Sequence, residues 1–130
     1  MLMQDSGPRA MTQVLLVEDN VDDAHIVMRA LRGTACAIRH VRNGAEAQEA
    51  ARQAAFDVVL LDHRLPDISG IRVCRILRDA GIKANIVLVS SAKDDDTAQQ
   101  AFEAGANDYL IKGLVYGDEV SRYMTNLLAA

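Results

Sequence analysis

Glu18, Asp19 and Asp62 are the residues of this chain best placed to do chemistry together. Glu18 and Asp19 follow the run Val14-Leu15-Leu16-Val17, and Asp62 follows Val58-Val59-Leu60-Leu61. Short apolar runs bounded by polar residues predict strands buried on both faces of a parallel sheet. In open parallel sheets, ligands bind in the crevice beyond the carboxyl ends of the strands. If the two runs are neighbours, three carboxylates meet at one rim. Their mutual repulsion is relieved when a hard divalent cation sits among the oxygens. The pattern points to a magnesium-type site that handles phosphate.

Two later runs end on residues of complementary chemistry. Ser90 follows Ile86-Val87-Leu88-Val89, and Lys112 follows Tyr109-Leu110-Ile111. A carboxylate such as Asp62 can accept a phosphoryl group as an acyl phosphate. Lys112 is a point charge suited to a phosphoryl oxygen, and a hydroxyl at Ser90 can donate to another. A site of this kind works by positioning and by neutralising charge on the group in transfer.

The elements that must present these residues alternate along the chain. Strands are predicted at 14–18, 37–41, 57–61, 86–89 and 109–111. A helix is predicted at 22–32, with Asn20, Asp22 and Asp23 available as caps. Asn43 caps an Ala-rich helix expected to bury Ala47, Ala50, Ala51 and Ala54. A turn with Pro66 and Gly70 leads into a helix burying Ile71, Cys74 and Leu77. Asp94, Asp95, Asp96 and Thr97 open a fourth helix bearing Ala98, Ala101 and Phe102, where acids suit the positive end of the helix dipole. Gly105 is its expected C-cap. Val120, Tyr123, Met124, Leu127 and Leu128 form the apolar face of a fifth. Alternation of this kind implies right-handed crossovers and an α/β sandwich with helices on both faces of the sheet. Residues 1–13 have no periodicity and read as a flexible leader before one domain at 14–130.

Bulk properties narrow the functional classes. A chain of 130 residues is of single-domain size. Its formal net charge of −4 argues against direct nucleic-acid binding, and no apolar run approaches a membrane span. Without a secretory signal pattern, a cytoplasmic location is expected. Cys36 and Cys74 form no recognisable metal or redox motif and are expected as reduced, partly buried small hydrophobes.

The segments VLLVEDN at 14–20, LLDHRLPDISG at 60–70, VLVSSAK at 87–93 and EAGANDYLIK at 103–112 together resemble the response-regulator receiver domain of two-component signalling. The resemblance covers residues 14 to about 128. It implies a flavodoxin-like (βα)5 fold with strand order 2-1-3-4-5. It implies Asp62 as phosphoacceptor, Asp19 as a direct magnesium ligand and Glu18 as an acid acting through water. The backbone carbonyl of Arg64 matches the remaining ligand, and Lys112 the phosphate-contacting lysine. Counting back from Gly105-Ala106 aligns Ser90, rather than Ser91, with the switch hydroxyl. Tyr109 matches the aromatic whose rotamer follows that hydroxyl. Receivers usually carry proline after the lysine, joined by a cis bond; Gly113 stands there instead, so a trans bond or a glycine-permitted geometry is expected.

The resemblance further implies a sensor histidine kinase or histidine phosphotransfer protein as donor and a downstream protein as target. The chain would be a signalling phosphoacceptor assisting its own phosphotransfer and dephosphorylation, rather than an ordinary enzyme. Dimerisation stays open, as does the choice between a stand-alone protein and a part of a longer one. One alternative is a binding module that works without phosphorylation. Another is an aspartyl phosphatase similar to the haloacid dehalogenases, which place a second acid where this chain has Arg64. A third, a DNA-binding regulator, would need a basic output domain that these residues do not supply.

Other candidates have plainer readings. His63 should face away from Asp62, because adjacent strand side chains point oppositely. His25 and His40 read as surface or cap residues, Asp67 as a cap for the helix that follows it, and Cys74 as core.

Overall fold

The computed structural model describes residues 11–91 and 95–129; the first ten residues of the expected leader and Asp94 of the expected helix start lie outside the described residues. The elements are β1 (Thr12–Val17), α1 (Val21–Ala30), β2 (Cys36–Val41), α2 (Gly44–Gln53), β3 (Val58–Asp62), α3 (Gly70–Asp79), β4 (Asn85–Ser90), α4 (Asp95–Glu103), β5 (Asp108–Ile111) and α5 (Tyr116–Ala129). All neighbouring strands are parallel, in the order β2-β1-β3-β4-β5. The expected doubly wound sandwich is therefore the observed one.

The sheet has two dry faces. Leu15, Val17, Val59, Leu61, Ile86 and Leu88 pack with Ala47 and Ala50 of α2, Val73, Cys74 and Leu77 of α3, and Ala101 of α4. Val14, Leu16, Val58, Leu60, Val87 and Val89 pack on the other side with Ala24 and Val27 of α1 and Val120 and Met124 of α5. Successive strand side chains alternate between these layers, so each central strand must be apolar throughout. This is why the runs show no polar alternation.

Local signals set most boundaries. Asn20 is the cap of α1 and accepts from the Asp23 N–H at 2.9 Å. Asn43 caps α2, accepting from the Glu46 N–H at 2.8 Å. Past α4, Gly105 turns the chain with φ +108°, a conformation suited to glycine.

Four expectations need correction. β1 begins at Thr12, so Thr12 and Gln13 belong to the sheet rather than to the leader; the Gln13 N–H donates to the Asp57 carboxylate at 2.8 Å. A polar pair satisfied through its backbone leaves no hydrophobic signal. Ala54 is exposed because α2 ends at Gln53 and Ala54 is its extended C-cap. Leu128 is 45% exposed and outside the apolar face of α5. The cap of α3 is Ser69, accepting from the Arg72 N–H at 3.2 Å, and not Asp67.

Asp67 instead reaches a different helix. Its carboxylate accepts from the Gly44 and Ala45 N–H groups at the start of α2, at 2.8 and 2.9 Å, and from the Ile68 N–H at 2.9 Å. These donors, the Gly44 N–H foremost, hold its pKa below the usual carboxylate value. The loop after β3 is thereby tied to α2.

Candidate functional site

Strand register assembles the site. Val17 pairs with Leu61, so the next residues, Glu18 and Asp62, emerge side by side from β1 and β3. Ser90 pairs with Ile111, and the Lys112 N–H donates to the Ser90 carbonyl at 2.8 Å, placing the lysine one residue beyond. Among the described residues, the buried polar side chains are Glu18, Asp62 and Ser90. Burying such groups is costly unless they are paired, and all three lie on this rim.

Lys112 is the hub. Its Nζ lies 2.8 Å from Glu18 Oε1, 2.9 Å from Asp23 Oδ2 and 3.3 Å from Asp62 Oδ2. The other Glu18 oxygen accepts from the Asn20 N–H at 3.2 Å. The Glu18 peptide is held too: its N–H donates to the Val41 carbonyl at 3.0 Å, and His40 Nε2 lies 2.7 Å from its carbonyl oxygen. A carbonyl only accepts, so that ring nitrogen carries the proton. His40 thus braces the rim rather than serving as a surface residue.

Electrostatics follow from this packing. Burial pushes the Glu18 carboxyl up to about 7, with Asp62 adding to the rise and the Lys112 hydrogen bond opposing it. Burial draws the Lys112 ammonium down, but contacts with Glu18 and Asp23 and the charge of Asp62 outweigh it and hold the pKa above the usual lysine value. Tyr116, buried at the start of α5, is pushed up by burial and then by the charges of Glu18, Asp62 and Asp23.

The expected cluster comes together in part. Glu18, Asp62, Ser90 and Lys112 converge. Asp19 is exposed on the same rim and lies 3.9 Å from Arg42 Nε. Among the described residues no three His, Cys, Asp or Glu side chains are grouped as they would be around a metal ion. The residues nevertheless suit a hard divalent ion. Glu18, Asp19 and Asp62 are all oxygen donors, and Lys112 and Arg42 leave them under-neutralised. Freeing Asp19 from an exposed pair costs at most about 1 kcal/mol.

Asp23 and Tyr116 escape the sequence reading. In sequence Asp23 reads as one of the candidate caps of the first helix. The missing signal is tertiary: the Asp23 carboxylate accepts from Lys112, the residue after β5 and 89 positions further along the chain. Arg64 lies exposed in the loop after β3, and Tyr109 is half-buried against α4 and the sheet core. His63 has its Nδ1 3.5 Å from Ser90 Oγ, so its ring adjoins the expected switch hydroxyl. No cis peptide bond occurs among the described residues, so Lys112–Gly113 is trans.

The chain is similar to known proteins over most of its length. The family model for the response regulator receiver domain matches residues 14–119. The DNA-binding response regulator MtrA of Mycobacterium tuberculosis is 34% identical over 116 residues, 88% of this chain and 50% of that protein. The cell cycle transcriptional regulator CtrA of Caulobacter vibrioides is 33% identical over 110 residues, 85% of this chain and 48% of that one. The chain thus spans about half the length of these curated relatives. Among solved structures, the phosphorylated cyanobacterial phytochrome response regulator RcpA superposes with a TM-score of 0.84 at 25% identity, covering 92% of this chain and 96% of that one. The matched segment contains every strand end that builds the rim, and the chain belongs to the response regulator receiver domain family.

Proposed function

We propose that residues 14–130 act as a phosphoacceptor receiver, with Asp62 taking a phosphoryl group from a phosphohistidine. The observation that carries this reading is Lys112 Nζ held between the buried carboxylates of Glu18 and Asp62. An Asp62 carboxylate oxygen attacks phosphorus, the P–N bond breaks, and the imidazole leaves as the neutral base after protonation. Lys112 then exchanges its contact with Asp62 for a phosphoryl oxygen. Glu18, Asp19, Asp62 and the Arg64 backbone carbonyl would hold magnesium, which supplies charge neutralisation when bound. Ser90 donates to the phosphoryl group, and Tyr109 follows it, shifting the face of α4, β5 and α5. Water later hydrolyses the acyl phosphate and resets the site.

The donor in this reading is a sensor histidine kinase or a histidine phosphotransfer protein. The target is a downstream protein, with self-association through the shifted face as one output. A net charge of −4 favours a protein target over direct nucleic-acid contact, in a cytoplasmic setting. Among the described residues no helix is long and apolar enough to cross a membrane.

Intact mass after incubation with acetyl phosphate, with and without magnesium, tests the proposal on wild type and Asp62→Ala. The expected result is a magnesium-dependent gain of one phosphoryl group, absent in the variant. No gain in wild type would leave the phosphorylation-independent binding module.

A further inference from the structure

We propose that Asp23 is a positioning residue for Lys112, an inference that rests on the phosphoacceptor reading above. An ammonium group has three N–H donors. Two of its carboxylate contacts are short, 2.8 Å to Glu18 and 2.9 Å to Asp23, and the third, to Asp62, is longer at 3.3 Å. Two donors are therefore committed to fixed anchors. The remaining one points at the acceptor, where a phosphoryl oxygen would take it.

The anchors differ in what else they do. Glu18 belongs to the proposed cation site, and its second oxygen already accepts from the Asn20 N–H. Asp23 comes from outside the strand-end set, across the crevice, and lies 89 positions before the lysine. Its backbone is fixed by the α1 cap, where Asn20 Oδ1 accepts from the Asp23 N–H at 2.9 Å. The carboxylate is partly buried, with 30% of the side chain exposed. Screening by water is correspondingly reduced. A lysine stem has four rotatable bonds and considerable rotamer entropy. Aiming its charge at the reacting group ahead of transfer is the kind of pre-organisation that lowers a barrier.

The cap and the aiming contact share one turn. Asn20 sets where Asp23 starts, and Asp23 sets where Lys112 ends. The first turn of α1 thus belongs to the machinery of transfer as well as to the helix.

The experiment measures the phosphorylation rate of the full chain with acetyl phosphate and magnesium in wild type, Asp23→Asn, Lys112→Ala and the double variant. Asp23→Asn should slow transfer about tenfold, the scale of one charge-assisted hydrogen bond, and should add less than about twofold in the Lys112→Ala background. A purely structural role would give the same factor in both backgrounds. Nitrogen-15 spectra of the lysine ammonium groups supply a readout without turnover. The Lys112 signal should be protected from solvent exchange in wild type and lose that protection in Asp23→Asn.

An unchanged or faster rate in Asp23→Asn, or an equal loss in both backgrounds, would overturn the proposal while leaving Asp62 as acceptor. If wild type takes no phosphoryl group at all, the underlying reading falls and this inference with it. The spectra keep the test sharp even where Lys112→Ala folds poorly.

Discussion

Gly70 stands so close to Asp62 that a Cβ built on it would lie 2.1 Å from the Asp62 carbonyl oxygen and 3.0 Å from the His63 Cα. The Gly70 N–H donates to the His63 carbonyl at 2.7 Å, which locks the start of α3 under the peptide after Asp62. The obstacle is backbone, so it cannot rotate aside. Gly70→Ala should cost about 2–4 kcal/mol, in the range of severe overpacking, and should slow phosphorylation of what remains folded. Urea unfolding with a parallel phosphorylation assay checks both; a loss below about 1 kcal/mol would show that the loop yields easily.

Glu18 makes the protein's stability depend on pH in an unusual direction for an acid. Its folded pKa, about 7, lies above the ordinary value of 4.5. The stabilisation of the protonated form is complete below the ordinary value and is lost as pH rises through about 7. Between about pH 6 and about pH 8 the metal-free protein should lose about 1 kcal/mol. Magnesium held at the proposed site would compete with that proton, so its stabilising effect should grow over the same interval. Thermal melts at the two pH values, with and without magnesium, test this; equal effects of the ion at both would contradict it.

Asp67 ties the loop after β3 to the start of α2. Asp67→Ala removes acceptors from the Gly44 and Ala45 N–H groups. Loss of a capping carboxylate costs about 1–2 kcal/mol. Hydrogen exchange should quicken at the first turn of α2, a helix distant in sequence from the substitution. Unaltered protection there would sink the idea.

Arg78 gathers the carbonyls of Gly105, Ile82 and Ala84 and the Asn107 side chain, each at 2.7–2.8 Å. Arg78→Lys keeps the charge but cannot reproduce the planar fork. It should destabilise by about 2 kcal/mol, close to Arg78→Ala, because the partly buried carbonyls lose their donors either way. Denaturant midpoints of the two variants decide this: near-wild-type stability in the lysine variant would show that charge alone suffices.

Ser90 and Ser91 differ sharply in setting, one buried at 2% exposure and the other exposed. Ser90→Ala should still accept phosphate on Asp62 but lose the accompanying shift of the Tyr109 resonance. Ser91→Ala should match wild type in both. The reverse pattern would move the switch to Ser91.

The sheet and most of the rim are legible in the sequence because both follow from near-neighbour facts. An apolar run ending on an acid says where a strand stops and what it presents. Parallel register then places Glu18 beside Asp62 and Lys112 beyond Ser90. Asp23 and Asp67 are not legible in this way. Each is an acid near a helix start, and sequence alone assigns it to its own helix. The fold sends Asp23 to the lysine that follows β5 and Asp67 to the start of α2. Tyr116 is hidden for the same reason: nothing in its neighbours says that α5 begins beneath the carboxylates. His63 sits in the strand-end pattern that predicts it faces away from Asp62, yet its ring finds the neighbouring strand's hydroxyl.

The lysine hub also fixes when the site can exist during synthesis. Glu18 and Asp62 leave the ribosome well before Lys112, whose contacts reach back across most of the chain. Contacts of such long sequence separation form late and only at the cost of closing large loops. Until β5 docks, the two buried acids have no counter-charge and β4 is an open edge. A nascent or truncated chain therefore carries Asp62 without Lys112, and on the function proposed above, competence to receive a phosphoryl group would report that the last strand is home.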